Sequence, residues 1–306
     1  VRPQMSREET RMKELDGKTA IISGGAEGIG LGIAQVLGRY GMNIVIADIN
    51  AEQLEKARQT LEQAGISVLA VSLDVVDVEQ WRAVAEHAIE QFGKVHMLVN
   101  NAGVGGAPNP IGISSEQDWR WVVDVNLMGV VNGAQTVIPL IKAHGEGGWV
   151  INVASMAGFI PLPMASAYSA TKAAVVAMSE SWHDELQDEN IHVAVLCPGF
   201  VKTRINLSQR NRQAQYESDG GSPSGSKLQA QLGQQMQSVL DAGTPPELIA
   251  ERVVEAIAAK ELYIVTHPNF RPAVDARFAA INECFKRAES SPLLVDIVTQ
   301  KIPGLD

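Results

Sequence analysis

At 306 residues, 45% hydrophobic and 20% charged, the chain is long enough to bury a substantial core and has the composition of a globular enzyme. Its net charge of -10, offset by no Lys/Arg cluster, argues against a nucleic-acid surface, which needs a basic stripe. Two cysteines, Cys197 and Cys284, make no disulfide framework and fit a reducing compartment, so the expected location is the cytoplasm.

Residues 1–14 carry Arg2, Arg7, Glu8, Glu9, Arg11, Lys13 and Glu14 without an apolar run. They read as a mobile arm, neither a signal peptide nor a membrane span. Residues 18–23 form a short apolar run, as in a buried parallel strand, followed by Gly24-Gly25-Ala26-Glu27-Gly28-Ile29-Gly30 and a helical stretch over 31–40. In such a strand, glycine turn and helix, the bare backbone turns tightly and approaches a diphosphate, and the helix start supplies N–H donors. A plain surface turn is the alternative.

A second strand at 43–47 ends at Asp48, about twenty residues past the glycines, where a carboxylate accepts hydrogens from both ribose hydroxyls and repels a 2′-phosphate. No Arg follows it, and Glu27 stands where a basic residue would help hold that phosphate, so NAD is expected over NADP. Asp48 could instead cap the helix over 51–61, a role open equally to Asn50. A third strand, 67–73, ends at Asp74. A helix over 78–92 leads to a fourth strand at 95–99, which runs into Asn100-Asn101-Ala102-Gly103.

Ser114 and Gln117 form a capping-box signal for a helix reaching about residue 143, with an interruption expected near Pro139. Asn126 lies inside it, unfavourable by propensity, and is either solvent-facing or used. A fifth strand at 149–154 delivers Ser155. The Ala- and Ser-rich stretch 167–186 places Tyr168 and Lys172 one helical turn apart, where the ammonium would favour phenolate and lower the tyrosine pKa. A sixth strand, 191–196, is broken by Cys197-Pro198-Gly199. The polar stretch 204–243 reads as a variable surface insertion, and 244–306 as a carboxyl-terminal extension with a helix over 244–259 and another over 272–290.

This alternation through six strands implies an α/β fold, a doubly wound parallel sheet with helices on both faces, forming one domain over 15–306. Its ligands belong at the carboxyl ends of the strands, where the glycine turn, Asp48, Asp74, Asn100 to Gly103, Ser155 and Pro198-Gly199 all fall.

Those same residues resemble the short-chain dehydrogenase/reductase family in its compact, single-domain form. The sequence S-G-G-A-E-G-I-G at 23–30 resembles the family's glycine motif, with Ser23 where Thr is more usual. N-N-A-G at 100–103 and P-G-F-V-K-T at 198–203 match two further motifs, and Asn126, Ser155, Tyr168 and Lys172 match the catalytic tetrad in type, order and spacing. The resemblance implies that Tyr168 is the general acid/base and that Lys172 lowers its pKa and binds the nicotinamide ribose. It implies that Ser155 holds the substrate oxygen, and that Asn126 holds a water linking Lys172 to solvent. It further implies an NAD site made by Gly24, Glu27, Gly28, Ile29, Gly30, Asp48, Asp74, Val75, Asn100, Ala102, Gly103, Pro198, Gly199, Val201 and Thr203, together with Tyr168 and Lys172. The resemblance also implies a Rossmann-type sheet of about seven strands, the seventh at 262–266, and a substrate lid over 204–243, where a plain surface insertion is the alternative. No metal ligands are assigned.

Phe159, Ile160, Leu162 and Met164, with no Lys or Arg between 156 and 164, suggest an apolar or aromatic secondary alcohol or ketone as the small-molecule substrate. They could equally pack the loop against the body. A homodimer or homotetramer is expected from the family, and no nucleic-acid or membrane partner. The competing readings are an NADP-dependent carbonyl reductase and a non-catalytic NAD-binding regulator.

Overall fold

A computed structural model describes residues 14–217 and 227–300. The arm expected at 1–14 therefore falls almost wholly outside the described residues, as does the 218–226 part of the expected lid. The chain divides into two compact units, Val1–Thr266 and His267–Asp306.

The first unit holds seven parallel strands in the order β3-β2-β1-β4-β5-β6-β7. They are β1 (Thr19–Ser23), β2 (Asn43–Asp48), β3 (Val68–Ser72), β4 (Met97–Asn100), β5 (Gly148–Val153), β6 (Ile191–Cys197) and β7 (Tyr263–Val265). Between them run α1 (Gly28–Arg39), α2 (Ala51–Gln63), α3 (Val78–Phe92), α4 (Glu116–Val123), α5 (Gly129–His144), α6 (Ser166–Leu186), α7 (Lys227–Asp241) and α8 (Pro246–Ala259). Every side chain of β1, β4 and β5 is buried, so these strands are covered on both faces, as a parallel sheet requires. Successive residues serve opposite layers. Ala20, Ile22, Ile44 and Ile46 join one core with α1 and α8, while Ile21, Val45 and Leu98 join the other with Trp81 of α3 and Val137 and Ile141 of α5.

The chain winds outward from β1 to β3 and then returns to lay β4 against the other side of β1, in register Ala20 to Met97. That reversal opens a crevice at the carboxyl ends of β1 and β4. Helix caps hold the crossings: Asn50 accepts from Gln53 N at the start of α2, and Asp77 from Glu79 N and Gln80 N at the start of α3.

Two local expectations are corrected. The cap of α4 is Ser115, whose hydroxyl accepts from Asp118 N, one residue beyond the expected Ser114. The long helix breaks at a π turn, Asp124–Met128, and continues unbroken past Pro139. Pro139 and Gln135, whose carbonyl loses its partner, are both exposed, so water can replace the missing bond.

The second unit contains a short 3-10 turn, Pro268–Phe270, then α9 (Arg271–Glu289) and α10 (Val295–Val298). Among the described residues no helix is long and apolar enough to cross a membrane.

Candidate active site

A single cleft at the carboxyl ends of the strands is lined by Gly24, Glu27, Gly28, Ile29, Asp48, Asp74, Val75, Ala102, Gly103, Ser155, Tyr168, Lys172, Pro198, Gly199, Val201 and Thr203. Nearly all the residues expected from sequence thus meet in one place. It spans about 1250 Å³, counting space open to solvent.

The glycine turn is packed backbone to backbone. A Cβ on Gly30 would stand 2.2 Å from the Gly24 carbonyl oxygen, and one on Gly24, where φ is +61°, would stand 2.8 Å from Ala102 Cα. Gly30 therefore closes the turn from behind and does not line the cleft. The Ser23 hydroxyl accepts from Asn101 N at 3.1 Å and Ala102 N at 3.2 Å, and Asn101 Nδ2 donates to the Ser23 and Gly24 carbonyls, both at 2.9 Å. These bonds lock the end of β4 to the turn. Glu27 precedes α1 and makes no capping bond, so the first N–H groups of the helix remain available to an anion.

Asp48 does not cap α2, a role taken by Asn50. Its carboxylate instead accepts from Ala26 N at 3.2 Å and Asn50 N at 3.0 Å. Burial pushes its pKa up, and these two N–H groups oppose that shift. Beside it the Asp74–Val75 corner is pinned from below, with Trp81 Nε1 at 3.1 Å and Asn132 Nδ2 at 3.0 Å from the Val75 carbonyl.

At the other end of the cleft stand Ser155, Tyr168 and Lys172. Ser155 follows β5, and its hydroxyl accepts from Ala157 N at 3.1 Å and donates to the Pro198 carbonyl at 3.5 Å. Lys172 is 3% exposed; its Nζ donates to the Val153 carbonyl at 2.7 Å and lies 5.7 Å from the centre of the Tyr168 ring. Asn126 is fully buried in the π turn, where it accepts from Val104 N at 2.7 Å and donates to Val104 O at 2.9 Å. It is used, then, and not solvent-facing. A Cβ on Gly103 would lie 3.3 Å from Asn126 Oδ1 and 3.4 Å from Lys172 Nζ, so glycine alone leaves the space between them clear.

The expected lowering of the Tyr168 pKa by Lys172 is not what the protein alone provides. Burial pushes the phenol up and the Ser155 hydroxyl opposes it, while burial also pulls the Lys172 ammonium down to about 8. The nearby Cys197 thiol is pushed up to about 12 by burial.

Some expected residues lie elsewhere. Asn100 turns its side chain into the sheet, donating to Asn152 Oδ1 at 2.9 Å, and it is its neighbour Asn101 that lines the cleft. Of the apolar loop expected as the substrate wall, Met164 lines a small recess beside Tyr168, whereas Phe159 lies against Tyr263 with ring centres 6.3 Å apart.

A strap from Arg204 to Tyr216 was not assigned to the site residue by residue, yet it contributes Arg204, Ile205, Ser208, Arg210, Asn211 and Gln213 to the lining. Gln213 Nε2 donates to both oxygens of Asp74, at 2.8 and 3.0 Å, and its Oε1 accepts from Trp121 Nε1 at 2.9 Å. Arg212 pairs with the buried Asp118 at 2.8 Å and lies over the Trp121 ring. The polar bias of this stretch was the available signal; its partners, far off in sequence, were not readable.

Away from the cleft, His96, His144 and Glu146 cluster near the amino ends of the strands. His96 Nδ1 accepts from Thr19 N and His144 Nδ1 from Glu146 N, which leaves each remaining ring nitrogen as the N–H donor, to Glu146 and to Val95 O respectively. With its ring nitrogens engaged, the cluster is a structural tie between β1, β4 and β5.

Comparison with known proteins agrees with this geometry. A profile of the family described as "short chain dehydrogenase" matches residues 18–214. The chain is 33% identical over 281 residues to a C alpha-dehydrogenase of Sphingobium sp. (strain NBRC 103272 / SYK-6), covering 92% of this chain and 90% of that protein. It is also 33% identical, over 65% of this chain and 78% of the other, to a cyclohexanol dehydrogenase of Acinetobacter sp. (strain SE19). Among solved structures, a short chain dehydrogenase/reductase from Burkholderia phymatum in complex with NAD superposes with a TM-score of 0.84 at 35% identity, covering 88% of this chain and 95% of the other.

Proposed function

The chain belongs to the short-chain dehydrogenase family of oxidoreductases, and we propose that it interconverts a secondary alcohol and a ketone with NAD, Tyr168 acting as the general acid/base. The observation that carries the reading is the single cleft in which Ser155, Tyr168 and Lys172 share a wall with the glycine turn and Asp48.

The residues present suit a dinucleotide. The open start of α1 and the close-packed turn favour a diphosphate, and Asp48, held between two N–H groups, is an acceptor for ribose hydroxyls. The nicotinamide, when bound, supplies the hydride chemistry and, in its oxidised form, a positive charge. Ser155 orients the substrate oxygen and stabilises negative charge developing on it. Tyr168 takes the hydroxyl proton in oxidation and returns it in reduction. Lys172, anchored on Val153, keeps a cation beside the phenol and offers its remaining donors to the nicotinamide ribose. Asn126 positions the Val104 backbone beside that cation, where a water could carry the proton outward.

For the substrate we read an apolar or aromatic secondary alcohol. Val104, Trp121, Val125, Ile205 and Leu240 line the cleft, and the nearby arginines are spent on acids, Arg212 on Asp118 and Arg204 and Arg210 on Glu27. The similarity to a cyclohexanol dehydrogenase leans the same way. Turnover should be assayed on a panel of aliphatic, cyclic, aryl and steroid secondary alcohols with NAD and, separately, NADP. Turnover with NAD on the apolar members is the expected result. Binding of NAD without turnover of any of them would favour a non-catalytic regulator, and higher kcat/KM with NADP a carbonyl reductase.

A further inference from the structure

We infer that Glu27 decides between NAD and NADP at this site, by neutralising two strap arginines, Arg204 and Arg210, that would otherwise receive a 2′-phosphate. The inference rests on the NAD reading above and refines it. From sequence, Glu27 is only an acid standing where a basic residue would help hold a 2′-phosphate, with no arginine following Asp48. The fold supplies two arginines from elsewhere. Arg204 pairs with Glu27 Oε1 and Arg210 with Oε2, so each carboxylate oxygen is matched to its own guanidinium.

The arrangement is held in place. Arg210 Nη1 also donates to the carbonyls of Arg204, at 3.0 Å, and Leu207, at 2.9 Å, which fixes its guanidinium against the strap. Asn50 Nδ2 donates to Asn211 Oδ1 at 3.3 Å and keeps the strap at the end of β2, next to Asp48. Glu27, Asp48, Arg204 and Arg210 line one cleft, and the charge of Arg210 is felt at the Asp48 carboxyl. Two acids and two guanidiniums cancel. A 2′-phosphate, carrying roughly -1.5 to -2 at neutral pH, meets no net positive charge there. Neutralising Glu27 alone leaves the site at +1, with two guanidinium forks of the geometry that phosphate favours. The sequence points to NAD through both Asp48 and Glu27; in the fold the larger lever is the acid that occupies the arginines.

The test is the affinity of NAD and of NADP, each measured by isothermal titration calorimetry at low salt. The proteins are wild type, Glu27→Gln, the Glu27→Gln/Arg204→Ala/Arg210→Ala triple, and Arg204→Ala/Arg210→Ala. In Glu27→Gln the NADP-to-NAD affinity ratio should rise at least roughly tenfold, the scale of new hydrogen bonds to a charged group, and the rise should vanish in the triple variant. It should shrink as salt is added, because the arginines are partly exposed. A ratio unchanged in folded Glu27→Gln, or a rise that persists in the triple, overturns the inference. Should Glu27→Gln not fold, Arg204→Ala/Arg210→Ala decides. Its bare Glu27 should lower the ratio several-fold, and an unchanged or higher ratio overturns the inference. Wild-type protein that binds neither dinucleotide removes the NAD reading beneath it, whereas NAD binding with an unmoved ratio removes this inference alone.

Discussion

At the glycine turn the cleft is walled by backbone: Gly24, Gly30 and Ala102 approach one another closely enough that a single Cβ would collide. At the strap it is walled by long side chains, with Gln213 reaching Asp74, Arg212 reaching Asp118, and Tyr216 reaching Asp124 at 2.8 Å. The first wall is fixed by local chain geometry and cannot yield. The second is fixed by charged and polar tethers, each of which can be cut without disturbing the sheet. A cofactor of constant shape suits the rigid wall, and discrimination suits the tethered one, of the substrate and, through Arg204 and Arg210, of the 2′ position of the cofactor. Tyr168 stands where the two meet.

The comparison can be broken first at that meeting point. Tyr168→Phe should lower kcat by roughly 10²–10⁴ while NAD affinity changes by no more than a few-fold, because the phenol acts on the substrate oxygen. Steady-state kinetics beside calorimetry would check it, and wild-type rates would remove the assigned role. Next comes the tethered wall. Arg212→Ala leaves Asp118 buried without its cation and should cost about 3 kcal/mol in urea melts while raising KM for the alcohol more than for NAD. Equal effects on both KM values would deny the division into two walls.

In the rigid wall, Gly30→Ala should cost about 2 kcal/mol of stability and weaken NAD with little change in alcohol specificity. A pH test bears on the junction itself. The Lys172 pKa is about 8 in the folded chain against 10.5 for the free side chain. Below that window both states hold the proton. Within it the folded chain has released the proton and the unfolded chain has not, so stability rises with pH. Relative to Lys172→Met, wild type should gain about 3 kcal/mol on crossing the window, as measured by paired urea melts, and a flat difference would contradict the burial of that charge. The smallest effect is expected for Asp48→Ala, a shift of about tenfold in the NADP-to-NAD preference, since Glu27 and its arginines remain in place.

The rigid wall was readable because its chemistry lies in short runs. A glycine cluster between an apolar strand and a helix, an acid at the end of the next strand and a Tyr and Lys one turn apart need no distant partner to be recognised. The same argument failed where geometry depends on what lies across the cleft. Asn100 faces the sheet and Asn101 the cleft, an alternation clear only once the end of β4 is fixed. The π turn at Asn126 has no composition signal, whereas Pro139, which has one, does not break the helix. Arg204 and Arg210 looked like members of a polar insertion, because nothing local pairs them with Glu27. The Tyr168 pKa was misjudged for a related reason: spacing reveals the cation but not the burial that opposes it.

The most direct test of the account is the fate of deuterium placed on the carbinol carbon of a secondary alcohol that wild type oxidises. Mass spectrometry of the recovered nicotinamide cofactor should find the label there after turnover by wild type, and none above background with Tyr168→Phe. Ketone formed by wild type with the label released to water would contradict direct transfer, and label transfer undiminished in Tyr168→Phe would contradict the role given to the phenol.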